Sequence, residues 1–218
     1  MKDFIPYHPP RFPESEMLVR ARENFEFMDQ RRTIREFSDR PVPKALMEDL
    51  IRTASTAPSG AHKQPWTFCL VGSAEVKREI RIGAEKEEYE SYNGRMSDEW
   101  LEDLAPFGTD WHKPFLETVP WIVVIFKRLH EVVDGKKRKN YYVNDSVGLA
   151  SGMFLQAAHH VGLSTLTHTP SPMNFLGKIL NRPDNERPFL LVPVGYPADD
   201  CKVPDLTRKS LEEIMVEY

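Results

Sequence analysis

Between Asn144 and His160 the chain carries a helical pattern with hardly any polar face. Val147, Met153, Phe154, Ala157, Ala158 and Val161 fall round most of it, with small Gly148 and Gly152 between them. A helix that is apolar on most sides has to be covered on most sides. The chain has 218 residues, which at about 150 residues per domain is one domain. One such helix, together with an extended arm and a tail in a chain this size, points to an intimate homodimer. Asn144-Asp145 is expected to cap the helix and Gly162 to close it.

The arm is read from proline. Pro6, Pro9, Pro10 and Pro13 crowd the first 13 residues, so 1–14 should be extended rather than helical. Phe4, Ile5, Tyr7 and Phe12 in it would waste apolar surface in water, so the arm should lie across a partner subunit or its own body. Helices are expected over Ser15–Gln30, with Ser15 a cap, over Pro43–Ala57, through most of the charged stretch Glu75–Leu104, and over Pro172–Leu180 and Ser210–Glu217. Strands are expected over Trp66–Val71, Trp121–Phe126, Leu163–Thr169 and Phe189–Gly195, with an irregular segment from Pro197 to Thr207. Strands separated by long helical segments make this an α+β chain with a mixed or partly parallel central sheet flanked by helices.

Several chemistries are poorly supported. Lys+Arg 29 against Asp+Glu 33 gives a net charge of −4, without the basic bias of a nucleic-acid binder. Lys136-Lys137-Arg138-Lys139 follows the turn signal Asp134-Gly135 and reads as a solvated loop. Two cysteines, Cys69 and Cys201, make neither a disulfide framework nor a Cys-rich zinc site, and seven scattered histidines suggest no metal. There is no P-loop, no G-x-G-x-x-G and no G-x-S-x-G elbow. With no apolar leader, and with Val119–Phe126 too short to span a bilayer, the expectation is a cytoplasmic protein away from membranes.

Two segments could carry chemistry. Arg31-Arg32-Thr33-Ile34-Arg35 puts three guanidinium forks and a hydroxyl within five residues, enough to saturate a phosphate. Spacing alone favours a solvated basic helix end beside the C-terminal dipole. Thr56-Ala57-Pro58-Ser59-Gly60-Ala61-His62 is a turn of small residues whose backbone could approach a flat ring or an oxyanion, or be an ordinary turn.

With the PVGYP strand end and the PDLTRKSLEEIM tail, RRTIR and TAPSGAHKQPWTF resemble the FMN-dependent nitroreductase superfamily, and within it the iodotyrosine deiodinase branch, from about Arg31 to Val216. The resemblance implies a nitroreductase-like fold and a domain-swapped homodimer binding FMN at its interface, with the tail 197–218 crossing to the partner. It implies FMN contacts from Arg31, Arg32, Thr33, Ile34 and Arg35, from Pro58, Ser59 and Gly60, from Thr167, His168 and Thr169, and from Arg208, with the Thr169 hydroxyl catalytic beside flavin N5. His168 stands where branch members often carry Thr. Glu88 and Tyr92, at i and i+4, share a helical face. With Lys113 they resemble the lid that closes on the substrate zwitterion in a mobile segment, 75–115, while the Ala61 N–H meets the phenolate. The implied reaction is reductive dehalogenation of halotyrosines in single-electron steps, with NAD(P)H or a reductase as electron source. The alternatives are a broad NAD(P)H-dependent nitroreductase or flavin reductase, and a flavin-storage protein.

Overall fold

A computed structural model describes residues 4–218 and divides the chain into two compact units, Met1–Arg31 and Arg32–Tyr218. The first three residues of the expected arm lie outside the described residues. Residues 4–13 have no regular structure, as their prolines require. Helix α1, Glu14–Asp29, follows. Ser15 does not cap it: Pro13 takes that position, where its missing N–H costs nothing, and Glu14 and Glu16 sit against the positive end of the helix dipole. No residue of α1 is buried, and Met17, Leu18, Val19 and Phe25 are exposed.

The second unit is built on a four-stranded sheet. In chain order its elements are α2 (Lys44–Ala54), β1 (Trp66–Val71), α3 (Ala74–Glu90), α4 (Asp98–Leu104), α5 (Phe115–Thr118) and β2 (Trp121–Arg128). Then come β3 (His130–Val133), β4 (Lys136–Lys139), α6 (Val143–His160), β5 (Ser164–Thr165), α7 (Asn174–Ile179), β6 (Glu186–Gly195) and α8 (Leu211–Ile214). The sheet order is β1-β2-β6-β5, every named pair antiparallel. The parallel component that makes the sheet mixed is one bridge at its edge, Thr33 to Thr165.

Alternation along β2 explains why its sequence is apolar throughout. Val123 and Ile125 pack with Met47, Leu50 and Ala54 of α2 and with Val147, Ala150 and Phe154 of α6. Ile122, Val124 and Phe126 pack on the other face with Ile80 and Ala84 of α3, Phe115 and Leu116 of α5, and Leu176 of α7. Both faces are covered, so neither set of alternating side chains can be polar. Among the described residues, no helix is long and apolar enough to cross a membrane.

The sheet ends hard against its neighbours at Gly195. A Cβ there would meet Pro120 Cδ at 2.7 Å and Val119 Cγ2 at 3.2 Å. A proline ring cannot swing aside, so Gly195→Ala should destabilise the fold by about 1–3 kcal/mol, read as a lower unfolding midpoint.

Four expectations need correction. Asn144-Asp145 does not cap α6: Tyr142 is the N-cap residue, in a left-handed conformation with φ 47°, and Asn144 Oδ1 instead accepts a hydrogen bond from Lys127 Nζ at 2.9 Å. Burial of α6 is also one-sided, since Asp145, Leu149, Gly152 and Gln156 form an exposed stripe. The strand expected over Leu163–Thr169 shrinks to Ser164–Thr165 and one bridge, His168 to Leu191. Pro193 is the cause: Leu166 N donates to its carbonyl at 3.4 Å, but proline has no N–H to return. Finally, Lys136–Lys139 is not a loop. It is β4, paired with β3 across Asp134 (φ 51°) and Gly135 (φ 72°), the two left-handed residues of a tight hairpin turn. Four adjacent cations hid the strand pattern behind their charge.

Candidate active site

The segment Arg32–Phe37 is laid along the sheet edge by the Thr33–Thr165 bridge and by Ile34 N donating to Thr165 O at 3.2 Å. Ile34 turns its side chain into the core. The next residue, Arg35, faces a cavity of about 250 Å³. Opposite it, the chain leaving β5 is held at His168, whose N–H donates to Leu191 O at 2.8 Å and whose carbonyl accepts from Leu191 N at 3.0 Å. Thr167 and Thr169 on either side are exposed and line the same cavity.

The other wall comes from the charged stretch. Glu88 lies in the last turn of α3, and Tyr92 in the widened turn Ser91–Arg95 that follows. Such wide turns re-aim side chains and recur at functional sites. The expected lid is not uniform. Ile80 and Ala84 are fully buried, so the first turns of α3 belong to the core, whereas residues 92–112 contribute nothing fully buried. The loop after α4 is tied back by Lys113 N donating to Glu85 Oε1 at 2.7 Å and by the Tyr92 hydroxyl donating to Thr109 O at 3.2 Å. Lys113 is thereby carried inward, with its side chain 4% exposed. Its Nζ donates to Thr109 Oγ1 at 3.2 Å and to the Asp110 carbonyl, and stands 3.7 Å from Glu88 Oε2.

Burial pushes the Glu88 carboxyl up, opposed by the Lys113 charge. It pushes the Lys113 ammonium down, opposed by Glu88 and Asp110. The two are an anion and a cation withdrawn from water, an ion pair whose 3.7 Å separation is longer than an ordinary hydrogen bond. Such a pair is unfavourable to leave imperfectly matched and receptive to a ligand carrying both opposite charges. Arg35 is half-buried, and desolvation lowers its pKa. Its guanidinium lies 5.7 Å from the Phe107 ring and has no hydrogen-bond acceptor among the described residues, so its donors remain for something in the cavity.

Arg35, Glu88, Tyr92, Lys113, Thr167, His168 and Thr169, all expected at the site, therefore meet in one place. Met96, Trp100, Leu104, Thr109 and Phe115 also line it and were not foreseen. Trp100 and Leu104, four apart on a short acidic helix, were the available signal. Arg32 faces elsewhere: its guanidinium donates to the Pro204 carbonyl, joining this segment to the tail four residues before Arg208. Arg31 ends the first unit.

Pro58, Ser59, Gly60 and Ala61 are not among the residues lining the cavity. They form a separate turn packed under the start of α6. A Cβ on Gly60 would meet Tyr142 Cδ2 at 2.8 Å and Tyr141 O at 3.0 Å, so glycine is required by close approach. Ala61, His62 and Gln64 all have positive φ, at 50°, 54° and 46°. Three strained residues in four mark a turn built for a purpose. The Ala61 N–H has no acceptor among the described residues, and Ala61 is exposed.

Comparison with known proteins places this geometry. Residues 28–196 match the model of the Nitroreductase family. The chain is 62% identical over 216 residues to an iodotyrosine deiodinase from Haliscomenobacter hydrossis, covering 99% of this chain and 97% of that one. It is 43% identical to the human iodotyrosine deiodinase 1, covering 98% of this chain and 75% of the relative. Its structure is similar to a crystal structure of oxidized iodotyrosine deiodinase bound to FMN and 3-iodo-L-tyrosine, with a TM-score of 0.76 and 30% identity over 89% of this chain and 98% of that one.

Proposed function

This chain belongs to the nitroreductase family, and from that premise we propose that it is an FMN-dependent enzyme removing halide from halotyrosines by reduction, acting as a homodimer. The observation that carries the reading is the separated Glu88–Lys113 pair in a cavity with Tyr92 and Arg35. A generic nitroreductase has no need of a buried anion and cation at the spacing of an amino acid's two charges.

The donor set fits FMN. Arg35 offers a half-buried guanidinium without a hydrogen-bond acceptor among the described residues, Thr167 and Thr169 offer exposed hydroxyls, and the Pro58–Ala61 turn offers the exposed backbone of Ala61. Arg32, Thr33 and Arg208 would complete the phosphate end with charge-assisted forks, and Arg31 and Ile34 belong to the same run. When bound and reduced by NAD(P)H or a reductase, FMN would supply two electrons, one at a time.

The chain's own residues set the stage. Glu88 takes the substrate ammonium and Lys113 its carboxylate, with Tyr92 donating at the same end. Closing residues 92–112 over the ligand excludes water and strengthens each charge contact. The Ala61 N–H donates to the phenolate oxygen. Arg35 opposes negative charge gathered during reduction. With the cofactor bound, the Thr169 hydroxyl would accept a hydrogen bond from the ring and hold a proton there. The carbon–iodine bond is replaced by carbon–hydrogen at the expense of two electrons and one proton, and iodide leaves.

Support for the homodimer comes from what one subunit leaves uncovered. The α6 stripe is exposed, Gly148 and Gly152 have no atom within 4 Å of a would-be Cβ, and α1 buries nothing. The Pro58–Ala61 turn, absent from the cavity lining, would then serve the partner's cavity. To test the function, the FMN-loaded protein is titrated with iodotyrosine and then with nitroaromatics. Saturable quenching of flavin fluorescence by iodotyrosine, and iodide release on anaerobic mixing with the reduced protein, are expected. Quenching and turnover with nitroaromatics alone would make it a general nitroreductase.

A further inference from the structure

We infer that His168 is a positioning residue for Glu88, its Nε2–H donating to the Oε1 side of the carboxylate and holding it for the substrate ammonium. Nε2 is buried and has no hydrogen-bond partner among the described residues. It stands 3.9 Å from Glu88 Oε1, while Lys113 stands 3.7 Å from the other oxygen, Oε2. The two neighbours thus bracket Glu88, one through each oxygen.

The imidazole is placed rather than stranded. Its backbone is bonded to Leu191 in both directions, and its ring meets the edge of Phe115 with centroids 6.1 Å apart. That leaves the ring little freedom to turn away. Burial, reinforced by the charges of Lys113 and Arg35, pushes its pKa down to about 3, so the ring is neutral wherever the protein works. The contact with Glu88 is therefore no ion pair. A neutral imidazole facing a carboxylate presents its N–H. Closing 3.9 Å to an ordinary hydrogen bond takes a movement of about 1 Å, within reach of the glutamate side chain.

The need for such a donor follows from the proposed function, on which this inference rests. A substrate carboxylate draws Lys113 away from Glu88 while Glu88 stays buried. Of the charged and titratable groups around it, Tyr92 lies in the widened turn that follows α3, Lys113 on the loop with Asp110 near it, and Arg35 across the cavity. His168 is the neutral donor fixed beside the carboxylate in both situations.

The test uses the FMN-loaded protein, its His168→Leu and His168→Gln variants, and two ligands: iodotyrosine and its deaminated analogue, which keeps the ring and the carboxylate. His168→Leu should weaken iodotyrosine binding about tenfold, leave the analogue nearly unchanged, and retain FMN. His168→Gln, which keeps a donor, should recover most of the loss. In the ligand-free protein, protonation of Glu88 can be followed by the infrared carboxylic-acid band that Glu88→Gln removes. His168→Leu should move that titration up by about one pH unit, because the ionised form has lost a donor. An unmoved band overturns the inference, as does an equal loss of both ligands. A wild type that binds iodotyrosine no better than its analogue overturns the functional reading instead, and the infrared titration alone then decides the His168–Glu88 contact.

Discussion

Glu88→Gln and Lys113→Ala are each expected to weaken iodotyrosine binding by at least about thirtyfold while leaving FMN content and iodophenol binding nearly intact. Losing one member of a desolvated, hydrogen-bonded charge pair typically costs about 2–5 kcal/mol. Both groups are desolvated, the Lys113 side chain 4% exposed and that of Glu88 12%, and each would gain its charged hydrogen-bond partner from the ligand. Iodophenol carries the same ring and halide but neither amino-acid charge, so it does not call on the pair. The ratio of iodotyrosine to iodophenol affinity isolates the contribution of the pair. If that ratio stays the same in both variants, Glu88 and Lys113 are structural charges and the amino-acid reading of the cavity fails.

The same pair sets the pH dependence. Burial raises the Glu88 pKa, so the affinity for iodotyrosine is present above that value and is lost as pH falls through it, at higher pH than for an ordinary carboxylate. Burial lowers the Lys113 pKa, so the affinity is lost again as pH rises through it, at lower pH than for an ordinary lysine. In Lys113→Ala the cation that opposes Glu88 desolvation is gone, and the acid limb should move further up. Iodophenol should show neither limb from these two groups.

Much of this arrangement could be read from sequence, for physical reasons that vary by residue. Trp66–Val71 matches to the residue because Pro65 and Gly72 punctuate a run that is buried or half-buried along its length. Glu88 and Tyr92 share a cavity because their spacing survives the widened turn between them. Lys113 is different. Its place depends on the path of residues 105–112, which is settled by the Glu85 carboxylate receiving the Lys113 N–H, a contact 28 residues away in sequence. Local pattern cannot show such a tie, and Thr109 and Phe115 were missed for the same reason. The Leu163–Thr169 strand was overread because the limit lies in its partner: Pro193 denies the returning hydrogen bond. His168 was placed with the flavin contacts by resemblance. Its burial against Phe115 and its approach to Glu88, with the Lys113 and Arg35 charges disfavouring protonation, are tertiary facts that no local pattern carries.

A heterodimer of one Glu88→Gln subunit and one Ala61→Trp subunit, isolated with two different affinity tags, should recover about half of wild-type deiodination, although each parent homodimer is nearly inactive. The expectation follows from where the two groups lie. Glu88 lines the cavity with Arg35 and Lys113, whereas Pro58–Ala61 do not. Ala61 is exposed on its own subunit, so a large side chain there meets no core and, in a shared site, would fill the partner's cavity. If each active site combines the cavity of one subunit with the 58–61 turn of its partner, the two substitutions fall together in one site and leave the second wholly wild type. Twofold symmetry thus makes one site of two functional. If every subunit builds its own complete site, both sites of the heterodimer carry a lesion and activity stays at the level of the parents. Recovery of activity therefore requires a shared site, and its absence would return the exposed α6 stripe and the strained turn at Ala61 to roles within a single chain.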